Sequence, residues 1–352
     1  MLKWVGAITA VLSLIFAIQQ LIQGISEVRG RERQVTELSE TGTMQQQAGD
    51  YAAAWTSFDT ALQAAQSGGM LMKLFGRLDT QTLHLRLARE DLAMLWLENI
   101  RTSGGQTFSD IVEKLLPALD QGVRNAQPVR KADLLSHIGW AYFLRYRDGH
   151  RELDPEPQYR QALVADAANP YAHAYLGHWL LWTKRDLNAA REQFAAGVAS
   201  GRKTTYVRNL QLSAIRNLGS DGDAEYVAVV SDMYGRQEPL SGDVQREVLS
   251  DVLTACRLAS DGQALRQSLS ATPADRLLDI YRLLGTSEET RARLAGREAE
   301  QASCNALILE AADRREEALT TWKSVRSRGK QDAAAYAKAT AGIARLATAR
   351  KT

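Results

Sequence analysis

Gly49-Asp50-Tyr51-Ala52-Ala53-Ala54-Trp55-Thr56-Ser57-Phe58-Asp59-Thr60-Ala61-Leu62 is the most informative run in the chain. Ala54, Phe58 and Ala61 follow at steps of four and three, which on a helix puts a small, a large and a small side chain on one stripe. The Gly-Asp pair ahead of them supplies a turn residue and a helix cap. The pattern returns as Asp186-Leu187-x-x-Ala190-x-x-x-Phe194-x-x-Gly197 and again as Ala318-x-x-x-Trp322-x-x-Val325. Upstream of each stripe a further small residue, Gly42, Gly177 or Ala306, stands twelve or thirteen positions before Ala54, Ala190 or Ala318. Two antiparallel helices joined by a short turn would bring such small residues together, with the aromatic filling the space between successive helix pairs.

Beyond residue 40, apolar residues keep helical spacing in segment after segment. The punctuation is short: Gly-Asp, Ser-Gly-Gly, Asn-Pro, Ser-Asp-Gly-Asp, Ala-Thr-Pro. Thr272 before Pro273 marks one helix start, and Thr286-Ser287-Glu288-Glu289 marks another, with carboxylates where the helix dipole favours them. The reading is all-α, and short turns enforce antiparallel neighbours.

These residues resemble the tetratricopeptide repeat (TPR), a helix-turn-helix unit of about 34 residues. The match is best over residues 36–66 and 129–200, where Ile138-Gly139-x-x-Tyr142, Tyr159-x-x-Ala162-Leu163, Asn169-Pro170 and Leu176-Gly177 follow the family order, and looser over 300–326. The chain departs from the family in three ways. Gly139 and Gly177 are 38 residues apart, the turn over 147–157 is enlarged, and Pro155 occupies the place of a small helix residue. Residues 70–126 and 204–285 keep the helix pairing without the signature. The resemblance implies an α-solenoid of paired antiparallel helices over residues 41–350, a TPR-like superhelix, with the alanine-rich segment 331–350 as a capping helix.

Residues 4–25 carry no charge and, at 1.5 Å per residue, are long enough to cross a hydrocarbon core. The alternative is a cleaved secretory signal, but no small-x-small pair follows its apolar region, where Gln19, Gln20 and Gln23 stand. Residues 1–26 are therefore expected to form a transmembrane signal anchor. Leu21, Ile25, Val28, Val35 and Leu38 continue the helical spacing, so residues 27–40 read as a juxtamembrane stalk helix. Such a seam either pairs two chains in a parallel coiled coil, giving a homodimer, or packs on the chain's own next helix. Glu32 in the seam and fewer than three heptads leave both open. Lys3 precedes the span while Arg29, Arg31 and Arg33 follow it. That count places the body on the cytoplasmic side of a bacterial inner membrane, with a periplasmic body as the alternative.

The 352 residues carry 43 Lys+Arg against 41 Asp+Glu, a net +2, which excludes a global bias toward polyanions. Basic residues gather only locally, at Arg124, Arg130 and Lys131 and at Arg145, Arg147 and Arg151. Basic and aromatic residues do not alternate through a whole repeat, so no nucleic-acid partner is expected. The two cysteines, Cys256 and Cys304, form no Cys-x-x-Cys and give no metal signature. Gly197-x-x-x-Gly201-Arg202-Lys203-Thr204 has the wrong glycine spacing for a phosphate loop and follows a helix instead of a strand. Ser327-x-x-Lys330 lacks the companion motifs of a serine acyl-enzyme family. His173 and His178 are five apart and lie on different faces of one helix. No enzyme activity, metal or cofactor is expected.

In the family resembled, the first helix of each pair lines a concave groove. Carried onto the two best-matched pairs, that geometry proposes Asp133, Trp140 and Phe143, then Tyr171, Ala174, His178 and Trp182, as a partner-binding groove. Trp and Tyr suit this role because they offer large, low-entropy apolar contact plus a donor. Aromatics at helical spacing are also common core residues. The expected function is a membrane-tethered scaffold or adaptor that binds a partner protein. The alternatives are a periplasmic envelope-assembly adaptor or chaperone, and a regulatory or sensor subunit of an enzyme complex.

Overall fold

The computed structural model describes residues 2–67, 78–102, 105–236, 238–239, 242–269, 295–328 and 332–348. Among the described residues there are fifteen α-helices and no strand, so the all-α expectation holds. The chain forms two compact units, residues 1–179 and 180–352. The first contains α1 (Leu2–Gln47), α2 (Tyr51–Gln66), α3 (Leu78–Glu98), α4 (Phe108–Val123), α5 (Pro128–Arg147), α6 (Glu156–Ala165) and α7 (Pro170–Trp179). The second opens with a π turn (Leu180–Lys184) and continues through α8 (Leu187–Ala199), α9 (Thr204–Arg216), α10 (Asp223–Gly235), α11 (Gly242–Leu258), α12 (Gly262–Ser268), α13 (Glu298–Ala311), α14 (Arg315–Arg328) and α15 (Ala333–Thr348). The helix starts expected at 272–273 and 286–289 lie outside the described residues.

α1 is one unbroken helix of 46 residues, about 69 Å long at 1.5 Å per residue. Its second half returns along α2. Val28 and Val35 are buried, and Arg31 donates to both the carbonyl and the hydroxyl of Ser67, 3.1 Å each, just past the end of α2. Of the two uses open to the stalk seam, packing within the chain is the one observed at these valines. Nearer the amino end Phe16, Ile18 and Ile22 are 62%, 47% and 61% exposed. The side chains of residues 1–15, which hold most of the expected anchor's apolar length, lie outside the described residues. Among the described residues no helix is long and apolar enough to cross a membrane.

Each predicted stripe faces inward: Ala54, Phe58 and Ala61 on α2, Ala190, Phe194 and Gly197 on α8, and Ala318, Trp322 and Val325 on α14 are all buried. In two hairpins the first-helix glycine meets the second-helix ring, Gly42 on Phe58 and Gly139 on Tyr159. The turns ahead of the three stripes share a device that composition hides. A left-handed residue stands two positions before the second helix in each of the three matched segments: Gly49 (φ 79°) before α2, Arg185 (φ 51°) before α8 and Asp313 (φ 58°) before α14. The next residue then caps the helix in two of them, Asp50 accepting from Ala53 N and Asp186 from Ala189 N. The enlarged turn after α5 ends at Pro155, which is buried immediately before the first turn of the ten-residue α6.

In the second unit Cys256, in the last turn of α11, and Cys304, in α13, are joined by a disulfide across 5.1 Å between their Cα atoms. α15 lies against α13 and α14, with Gly342 on the face of the Trp322 indole. The buried Glu310 carboxylate accepts from Trp322 Nε1, from the Arg345 guanidinium at 2.9 Å and from Gly262 N at 3.2 Å. Lys338 of α15 donates to the carbonyls of Cys256, Arg257 and Ala259 at 2.9, 2.8 and 3.1 Å. A cation thus sits on the carboxyl end of α11, where its unpaired carbonyls need donors. Burial lowers the pKa of that ammonium, partly offset by the Glu300 charge.

Candidate functional site

Six of the seven residues expected to line a groove come together in the first unit, on α5 and α7. Five of them are buried: Trp140 (8% exposed), Phe143 (0%), Tyr171 (8%), Ala174 (0%) and His178 (4%). Trp140 stacks on Tyr175 at 4.6 Å between ring centroids and donates its indole N–H to the Leu97 carbonyl at 3.2 Å. His178 meets Trp140 and Phe143 edge-on at 5.2 and 5.0 Å. Burial first, then the Arg147 charge, pushes its pKa down to about 3, so the imidazole is neutral at physiological pH. These rings fill the space between α5, α7 and α3 and offer no open groove.

Asp133 is half-buried and engaged within the chain. Its carboxylate accepts from Asn169 Nδ2 at 2.7 Å, while Asn169 Oδ1 accepts from Ala172 N at 2.9 Å and from Ser136 Oγ at 3.2 Å. Asn169, wholly buried, is thereby the amino-terminal cap of α7, with Pro170 at the first helical position. Trp182 belongs to the second unit, half-buried in the π turn. Four of the six local basic groups are likewise used inside the first unit: Arg130 bonds Glu90 and Asp91 at 2.7 and 2.8 Å, Arg145 approaches Glu113 at 3.5 Å, Arg147 lies over Phe108 and Arg151 over Tyr146. Around Lys203 the chain is a tight turn between α8 and α9, with Gly201 and Lys203 at positive φ and a helix on either side.

An open concavity lies in the second unit. A cleft of about 700 Å³ in the second unit runs between α8, α9 and α10. One face of α8 is spent on the buried stripe. The opposite face presents Arg191 and the exposed Ala195 and Ala199, one turn apart, to the cleft. Charged side chains of both signs line it. Arg191 is bidentate to Glu225, at 2.9 Å from Nε to Oε1. Arg208 of α9 is buried and shared between Asp232, Glu238 at 3.0 Å and Gln211 at 3.2 Å. Arg236 reaches Asp232 at 3.0 Å from the rim.

Burial works against the Arg208 charge, but the hydrogen bonds and charges of Glu238 and Asp232 outweigh it, and its pKa is raised. Burial would raise Asp232, yet the bonds from Arg236 and Arg208 prevail and hold it below the usual carboxylate range. Arg208 and Asp232 are thereby favoured in their charged forms, and the ion pairs fix the orientation of the side chains that line the cleft. A surface of this kind can exchange ion pairs with a ligand that carries both signs, which favours specificity.

The expected groove followed the aromatics, and none of the residues lining this cleft is aromatic. The Asp232–Arg236 spacing of four and the exposed alanine pair on α8 were the available signals. Among the described residues no three His, Cys, Asp or Glu side chains are grouped so as to hold a metal ion. No protein-family model matches the chain, and no curated protein matches it at significant similarity.

Proposed function

We propose that the chain is a membrane-tethered scaffold of the TPR-like kind, whose helical hairpins stack into a solenoid and capture a partner protein. The observation that carries this reading is the recurrence of hairpin features: a first-helix glycine lies on a second-helix ring in two hairpins, Gly42 on Phe58 and Gly139 on Tyr159, and a left-handed residue stands two positions before α2, α8 and α14. Repetition of one supersecondary unit is the mark of stacked-repeat proteins, whose usual work is binding along an extended surface. The tether is supported by the uncharged run 4–25 and by the exposed Phe16, Ile18 and Ile22 on the same helix that packs into the first hairpin. Anchoring raises the effective concentration of a captured protein near the bilayer, so modest affinity suffices.

The partner's seat in this proposal is the charged cleft of α8, α9 and α10, in place of the buried rings of α5 and α7. Its occupant is a polypeptide segment with both acidic and basic side chains. Replacing the exposed Ala195 and Ala199 by Trp would plug the cleft from a solvent-facing side. Capture of the partner should fall at least tenfold while the helical circular-dichroism signal stays intact. Unchanged capture would remove the cleft from the account.

A further inference from the structure

We infer that Cys256 and Cys304 are oxidised to a structural disulfide on the oxidising side of a membrane, so that the body of the chain lies outside the cytoplasm. They are the only two cysteines in the sequence, 48 residues apart, and folding places their Cα atoms 5.1 Å from each other, inside the range a disulfide spans without backbone movement. Both are buried, at 4% and 1% exposure. A catalytic or sensing disulfide keeps one sulfur accessible and often has a resolving cysteine nearby. Here neither condition is met, and the bond is a staple. It fixes the last turn of α11 to α13, the same turn whose carbonyls Lys338 of α15 binds. Cytosolic thiols are kept reduced by the glutathione and thioredoxin pools, whereas structural pairs persist in the periplasm and outside the cell.

The chemistry balances with a disulfide donor. The thiolate of one cysteine attacks the disulfide of a dithiol–disulfide oxidoreductase, forming a mixed disulfide and releasing one donor thiol. The second cysteine then displaces the remaining donor sulfur. Two electrons and two protons leave the chain, and the donor departs as a dithiol. This side is opposite to the one that the arginines after the span favour, but that count rests on Arg29, Arg31 and Arg33 against Lys3. With the single span of residues 4–25, everything after it shares one compartment. Export by an uncleaved span rests on the tether proposed above, whereas the oxidation state and the compartment it reports do not.

The test uses the full chain in growing bacteria, quenched in acid, denatured and treated with a 5-kDa polyethylene glycol maleimide with or without prior reduction. The expected result is no shift without reductant, two increments of shift after it, and recovery in the alkaline carbonate-resistant membrane pellet. A chain beginning at residue 27 and retained in the cytoplasm should shift by two increments without reductant. Two increments in the unreduced full chain would overturn the inference even if that chain sits in the membrane pellet. Oxidation of the cytoplasmic version would overturn it as well, since the pair would then not report on the compartment. An oxidised full chain found only in soluble periplasmic extract would support the inference and sink the tether.

Discussion

A Cβ on Gly139 would stand 2.5 Å from Cε1 and 2.7 Å from Cδ1 of Tyr159, closer than Cβ atoms come to their neighbours. The backbone of α5 therefore rests directly on a ring that is wholly buried and has nowhere to move. The same relationship in the first hairpin is looser, with 3.0 Å between a Cβ on Gly42 and the Phe58 ring.

Gly139→Ala should therefore lower stability by about 1–3 kcal/mol through overpacking, and Gly42→Ala by less. Urea midpoints of the two variants check the order. Gly42→Ala proving the more damaging would contradict the geometry of these hairpins.

The turn before α8 gives a change of opposite sign. Arg185 is exposed and held at φ 51°, a conformation that costs a side-chain residue about 1–2 kcal/mol but glycine little. After the loss of unfolded-chain restriction is subtracted, Arg185→Gly should still stabilise by roughly 0.5–1 kcal/mol. A fall in the thermal midpoint would show that the turn is not built in this way.

The stripes, the hairpins and the small residues opposite the aromatics were legible because close helix packing leaves a mark every three or four residues. The left-handed turns were legible only at Gly49, since Arg185 and Asp313 carry no sign of positive φ in their residue type. The burial of the expected groove residues was not legible for a related reason. Trp140, Tyr171 and His178 sit at helical spacing whether they face a ligand or one another, and only tertiary packing on Tyr175 and Leu97 separates the two cases. The pairing of Cys256 with Cys304 was hidden by their 48-residue separation, which carries no spacing rule.

His178 should make stability depend on pH. Its folded pKa of about 3 lies below the ordinary value of 6.5, so between those values the unfolded chain binds a proton that the folded chain excludes. The contribution is complete above about pH 6.5 and declines as pH falls, by about 2 kcal/mol between pH 7 and 5. Urea titrations at pH 7, 6 and 5 should show this slope in the parent and a flatter one in His178→Gln. Parallel slopes would place the histidine in a more hydrated site.

Trp140→Ala should cost about 3–5 kcal/mol, because a stacked, buried indole and its bond to the Leu97 carbonyl are lost together. Any fall in partner capture by this variant should follow its loss of fold. Ala195→Trp with Ala199→Trp should show the reverse, lost capture at an unchanged unfolding midpoint. Capture lost in a fully folded Trp140→Ala protein would return the binding site to the aromatic cluster.

The most direct test of a tethered scaffold is photocrosslinking from position 236, on the rim of the cleft, in whole cells making either the full chain or residues 27–352 exported to the same compartment behind a cleavable signal. The account predicts a discrete crosslinked partner with the full chain, removed by the Ala195→Trp and Ala199→Trp pair and at least tenfold weaker without the leading segment. No crosslink from this position, or equal yield from the untethered chain, would contradict it.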